Sequence, residues 1–367
     1  MISLSRRLIL SLPAALLPAA ETWEPRVAEN IGELSGSTLG WLAQLGHQWV
    51  VLQGTDKVDR DGKGYWSLAD IEAVQARCRE FGLRLHSLMI PIGWLKPAML
   101  ALPGREGAIE AITRSIEAAG KAGVAVLEWR WSPDFVWGAE AGYFDEPARG
   151  GAIYKAFDYH RVKDAPPYAE LGAITREQLW ERMRYFLERV LPAAERAGVR
   201  LSMHPKDPPV PVLRGIERMV TNTAEIERFV DAFQTPAHGF TFCQGTVTEM
   251  GVDVVDAIWR IGRRGRIHHV HFRNVQGRVP RYTETFIDDG QVDMLAAMRA
   301  YREVGYKGSL VSDHTPSIPG DLPGGRIGRS FSQGYIRGLV QAANAPKGRP
   351  GVKLKLALGI GDLSGRT

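Results

Sequence analysis

Eight short runs rich in Val, Ile, Leu and aromatic residues recur along the chain, at residues 26–31, 48–52, 83–90, 124–131, 199–203, 239–243, 267–272 and 309–312. Between most of them lie segments of helical period. Runs of this length and spacing read as buried strands alternating with helices. Such alternation builds a parallel sheet, because each strand needs a crossover before the next can lie alongside it. Eight is the number that closes into a (β/α)8 TIM barrel, so an α/β barrel is the expected fold. Ser67 precedes a helical segment over 68–81, and Thr175-Arg176-Glu177-Gln178 is a capping-box pattern opening another that runs to about Arg196. Three joins repeat one form: Glu80-Phe81-Gly82-Leu83, Lys121-Ala122-Gly123-Val124 and Arg196-Ala197-Gly198-Val199. A helix closed by glycine just before an apolar run is how a helix hands over to a strand. The competing fold is an open doubly wound sheet. Its glycine-rich dinucleotide fingerprint is missing after the first strand.

Two excursions interrupt the alternation, 132–173 and 315–328, and both follow strands, on the side where barrels build their sites. The first twenty residues read as a targeting segment. Ser5-Arg6-Arg7-Leu8-Ile9-Leu10 resembles a twin-arginine export motif, and the apolar run over 8–20 has the length of a signal core, too short for a stable span. The expected division is therefore a signal at 1–20, a barrel at 21–344 and a flexible tail at 345–367. Export to the periplasm follows from the signal, with a cytoplasmic location as the alternative. Cys78 and Cys243 are the only cysteines in 367 residues, which excludes a disulfide framework. A net charge of +5 with no block of like charge points to no nucleic-acid partner. No stable membrane insertion is expected after processing, and homo-oligomer formation stays open.

The chemistry gathers at the ends of the last four strands. His204 follows Val199-Arg200-Leu201-Ser202-Met203, Cys243 follows Gly239-Phe240-Thr241-Phe242, His271 ends Ile267-His268-His269-Val270, and Asp313 follows Leu310-Val311-Ser312. Their separations of 39, 28 and 42 residues each amount to one βα unit. Four potential ligands would then stand at the same end of four neighbouring strands. Each alone reads more readily as a packed or hydrogen-bonded core residue; their joint placement is what points to a metal. His, Cys, His and Asp together suit a borderline divalent ion such as Mn²⁺, Fe²⁺, Co²⁺ or Zn²⁺, whereas a thiolate disfavours Mg²⁺ and Ca²⁺. On a strand His269 and His271 share a face and His268 points the other way; His271, nearer the strand end, is the better ligand.

His314 directly follows Asp313. A histidine beside a metal is placed to move protons, or else to orient a carboxylate. Arg273, two residues beyond His271, can grip a substrate carboxylate or form a structural ion pair. Lys206 and Asp207, in a proline-stiffened loop, lie at the expected mouth. Trp129, Trp131, Trp137 and Tyr143 either stack on a sugar ring or fill the gap above the barrel.

The residues His204-Pro205-Lys206-Asp207-Pro208-Pro209, Gly239-Phe240-Thr241-Phe242-Cys243-Gln244-Gly245, His271-Phe272-Arg273 and Asp313-His314 resemble the successive motifs of the mannonate dehydratases, members of the xylose-isomerase-like barrels. Weaker similarity runs through 66–90, Phe157-Asp158, Tyr282-Thr283-Glu284, 290–294 and Gly328-Arg329. The resemblance implies a metal-dependent carbon–oxygen lyase that removes water from a sugar acid to give a 2-keto-3-deoxy acid. It implies Mn²⁺ or Fe²⁺ on His204, Cys243, His271 and Asp313, with His314 as acid/base and Arg273 helping to hold substrate. Lys206, Asp207, Trp131 and Glu284 are expected in the substrate pocket. The chain departs from the family pattern in having Lys206 where the motif has Asp and Val311-Ser312 where Arg-Pro usually stands. It has Gly324 near the position of the family's tyrosine, and Tyr335 falls later. Two other readings remain: a sugar isomerase or epimerase on the same barrel, and a carbohydrate-binding barrel without catalysis.

Overall fold

A computed structural model describes residues 22–345, apart from 60 and 135–137. The expected signal at 1–20, the tail beyond Ala345 and Trp137 therefore lie outside the described residues. Eight parallel strands close into a barrel: β1 (Arg26–Ile31), β2 (Trp49–Leu52), β3 (Arg84–Met89), β4 (Val126–Arg130), β5 (Arg200–His204), β6 (His238–Cys243), β7 (Ile267–His271) and β8 (Ser309–Val311). Every strand pairs with its sequence neighbour, and β8 returns to β1 with Arg26 opposite Ser309. These are the eight expected runs, shifted by a residue or two at their ends.

Local chemistry sets the joints. Ser67 caps helix Leu68–Arg79 by accepting from the Asp70 N–H, and Thr175 does the same for Gln178 at the start of helix Arg176–Ala197. Both are complete capping boxes, which satisfy helix-end N–H groups that would otherwise lack partners. Gly82, Gly123 and Gly198 sit at φ of 71°, 74° and 67°, where a side chain would be strained. Outside the strands, a continuous apolar core joins sheet to helices, with Trp66, Trp129, Phe186, Phe229 and Phe240 among its largest fully buried members.

The excursion 132–173 is more ordered than a loop. It forms a hairpin, Tyr143–Pro147 with Ile153–Asp158, extended by Arg281–Glu284 and Val275–Arg278 into a four-stranded antiparallel sheet. Tyr143, Phe157 and Tyr282 form its small core, and the Tyr143 and Tyr282 hydroxyls meet at 2.8 Å. Among the described residues no helix is long and apolar enough to cross a membrane.

Candidate metal centre

Strand register does the assembling. Cys243 lies beside His271, and His271 beside Val311, so the C-terminal ends of β6, β7 and β8 come level. His204 closes β5, and Asp313 stands two residues past β8. His204 Nε2 is 3.1 Å from His271 Nδ1, His271 Nδ1 is 3.3 Å from Asp313 Oδ1, and Cys243 Sγ is 3.9 Å from Asp313 Oδ2. One donor atom from each of the four lies within 4.8 Å of all the others, and all four residues are buried. Asp313 reaches this position at φ 58°, a left-handed conformation uncommon outside glycine. A strained residue held among ligands is the pattern expected of a functional site.

The charges suit a cation. Burial raises the Cys243 thiol, but Arg273 and hydrogen bonds with His204 and His271 outweigh it and bring the thiol down to about 5. Burial also lifts Asp313, and His271 and His314 then hold it well below the carboxylate range. His271 is pushed well above its ordinary value: burial opposes this, and Asp313 and Glu128 overcome it. A thiolate and a carboxylate thus face the His271 imidazole, which keeps a proton only because nearby anions are there. A divalent ion binding the same four atoms would displace that proton. The soft sulfur, two nitrogens and an oxygen fit a borderline ion.

Glu128 was not legible as a site residue. It is fully buried on β4, with Oε2 3.5 Å from both His271 Nε2 and His269 Nε2, and neither carboxylate oxygen has a hydrogen-bond partner. Burial would raise its carboxyl, but His271 and His269 hold it below its ordinary value. Placed behind His271, it fixes which ring nitrogen faces the cluster. Its sequence signal was an acid inside the apolar run Val126-Leu127-Glu128-Trp129. His268 indeed faces away, pairing with the Leu201 carbonyl at 3.3 Å.

Beyond the cluster, a mouth of about 610 Å³ opens between the antiparallel sheet and the loop after β8; Arg273, Glu284, His314, Tyr154, Lys155 and Arg329 line it. His314 Nδ1 is 2.9 Å from Glu284 Oε2, and its Nε2 is 3.7 Å from Asp313 Oδ2. Burial lowers its pKa, while Asp313 and Glu284 more than compensate and raise it.

Asp207, Lys206 and Trp131, expected as substrate contacts, lie outside the mouth, and Arg273 at its edge is held by other partners. Arg273 is 2% exposed and already engaged: Nε meets Asp313 at 3.0 Å, one terminal nitrogen meets Glu249 at 2.9 Å, and the other meets Asp207 at 3.1 Å. It holds ligand and wall in place, because a guanidinium engaged by three carboxylates, with Glu284 a further 3.7 Å away, has little left for substrate. Asp207, bonded also to the Thr246 hydroxyl at 2.5 Å, is part of that brace, not of the mouth. Lys206 is drawn instead into a cavity of about 20 Å³ beside Trp131 and Arg218. Burial and then Arg218 lower its pKa to about 8. Trp131 packs on Phe186 and donates to the Leu179 carbonyl at 3.0 Å, so it fills core. Trp129 and Tyr143 are likewise core residues. Gly324 does line the mouth, whereas Tyr335 packs against the main core from the last helix.

A profile of the D-mannonate dehydratase (UxuA) family matches residues 166–349. The chain belongs to the mannonate dehydratase family. Mannonate dehydratase 2 of Halalkalibacterium halodurans is 28% identical over 310 residues, covering 77% of this chain and 89% of that one. The Enterococcus faecalis mannonate dehydratase is 30% identical over 323 residues, covering 77% and 88%. A crystal structure of mannonate dehydratase from Streptococcus suis serotype 2 superposes with a TM-score of 0.76 at 26% identity, covering 87% of this chain and 93% of that one. A xylose isomerase domain protein from Planctomyces limnophilus, at 14% identity and a TM-score of 0.57, shares the fold. Family membership makes the chain a carbon–oxygen lyase of the water-removing kind, built on a xylose-isomerase-like barrel.

Proposed function

We propose that this mannonate dehydratase family member removes water from D-mannonate or a close sugar acid, giving a 2-keto-3-deoxy acid, with Mn²⁺ or Fe²⁺ held by His204, Cys243, His271 and Asp313. The observation that carries the reading is the convergence of those four donors within 4.8 Å, next to a mouth that Arg273 and His314 line. When bound, the metal supplies positive charge that stabilises the negative charge developing as the proton α to the substrate carboxylate leaves.

The remaining work falls to the chain. His314, locked by Glu284 and facing the mouth, is the group placed to hold a proton for the departing hydroxyl. Loss of the α-proton and of the neighbouring hydroxyl as water leaves an enol that becomes the 2-keto acid. Arg273 keeps Asp313 turned toward the cluster. With glycine at 324 in the mouth wall, proton transfer rests on His314 without a tyrosine at that point.

The test is metal analysis of purified protein beside Cys243→Ala and His271→Ala, each then given D-mannonate. One Mn or Fe per chain in the parent, lost in both variants, with keto acid formed by the parent alone, is the expected result. Metal without keto acid, and an epimer in its place, would overturn the dehydratase reading. No metal after reconstitution would overturn the centre itself. We also take the twin-arginine-like start as an export signal; cell fractionation that leaves the protein in the cytoplasm with residues 1–20 attached would refute this.

A further inference from the structure

At the end of the barrel opposite the metal cluster, a cavity of about 530 Å³ opens where the strands begin. Arg26 is the first residue of β1 and Arg200 the first of β5; both line the cavity, with Lys307 from the loop before β8. Among the described residues that line it, none carries a carboxyl group. Arg26 donates to the Lys307 carbonyl at 2.6 Å and lies over the Trp49 ring, 5.1 Å from its centroid, so its position is defined.

Two buried imidazoles complete the wall. His86 is 5% exposed and His268 2%, and Nε2 of each has no hydrogen-bond partner. His268 Nδ1 faces the Leu201 carbonyl, which can only accept, so the proton sits on Nδ1 and Nε2 presents a lone pair. Burial, and after it the neighbouring arginines, keep both rings neutral down to about 3. The cavity therefore offers fixed positive charge beside an unsatisfied acceptor, His268 Nε2. Metal cations are repelled by the first, and apolar ligands would leave the second without partners. What satisfies both is a ligand negative at one end and bearing hydroxyl donors at the other.

We propose that this cavity is a binding site for a small hydroxylated anion, its phosphate or carboxylate on Arg26 and Arg200 and a hydroxyl donating to Nε2 of His268. A ligand here leaves the catalytic mouth open, so it does not compete with substrate for that space. The site stands independently of the reaction proposed above.

Titration calorimetry on the metal-loaded full chain tests it, with glucose 6-phosphate and D-gluconate as the phosphate and carboxylate probes. One site per chain is expected for at least one probe. Arg200→Glu, at an exposed position outside the catalytic machinery, should weaken it about tenfold or more by removing a charge-assisted contact. Turnover of D-mannonate without probe should stay unchanged in that variant, and Arg200→Gln should fall between. Binding of glucose 6-phosphate alone assigns the phosphate source, and binding of D-gluconate alone the carboxylate. The absence, for both probes, of any saturable binding that Arg200→Glu weakens would overturn the proposal; D-gluconate binding untouched by that change belongs to the catalytic mouth.

Discussion

At the scale of single residues, the deciding contact is the one behind His271. Glu128 is the carboxylate that can hold the far nitrogen of that ring; its other charged neighbours are His269 at 3.5 Å and Arg130 at 3.7 Å. Glu128→Ala should therefore weaken metal binding by about 10–100-fold, the usual effect of removing such support, and Glu128→Gln by less. Competition with a metal chelator measures this; equal affinities in all three proteins would show that Glu128 does not orient the ligand. Cys243 has its own signature. Co²⁺-loaded parent should show a thiolate charge-transfer band that Cys243→Ser lacks, and a band surviving in that variant would remove sulfur from the ligand set. Arg273 is tied to stability as well as chemistry. Replacing it with Met leaves Asp207, Glu249 and Asp313 facing one another in a buried site. Breaking a buried ion pair from one side costs about 3–5 kcal/mol, so denaturant unfolding should show a loss of that size. A loss below about 1 kcal/mol would mean that the acids shed their charge by taking up protons.

Elements meet under tighter constraints than their own sequences reveal. Helix Arg105–Lys121 packs along helix Arg176–Ala197, and a Cβ added at Gly120 would lie 2.5 Å from the Ala197 carbonyl oxygen. Alanine is the better helix former by up to about 1 kcal/mol, but overpacking costs about 1–3 kcal/mol. Gly120→Ala should thus be net destabilising, read as a lower Tm; a higher Tm would show that the two helices can separate without cost. The antiparallel sheet over the mouth is the element that local pattern concealed. Its strand Ile153–Asp158 pairs with Arg281–Glu284, more than a hundred residues away, and no short-range turn signal announces a partner at that distance. The eight barrel strands were legible because each is a short apolar run closed by turn residues.

Across the whole molecule, burial of histidine links stability to pH. His47 and His238 are held down to about 4, and His86 and His268 to about 3, each chiefly by burial. Their folded values lie below the unfolded value of 6.5, so between these limits the unfolded chain binds more protons. Stability is then intact above about pH 6.5 and falls as pH drops toward 4, by up to about 1.4 kcal/mol per pH unit for each histidine. Urea midpoints measured from pH 7 to 4.5 should decline steadily. A flat profile would mean that these rings are protonated in the native state.

What the amino-acid sequence determined by itself is the period of the chain: which runs are strands, where glycines end helices, and which four residues stand at strand ends. Those are local matters of side-chain pattern and backbone allowance, and residue types with metal chemistry announce themselves wherever they fall. Only the tertiary structure decided what surrounds them. Whether Arg273 meets substrate or three carboxylates, whether Trp131 faces sugar or Phe186, and whether Glu128 stands behind His271 all depend on strand register and on contacts between distant segments. A one-residue change of register in β4 would turn Glu128 to the other face without altering a letter of the local pattern.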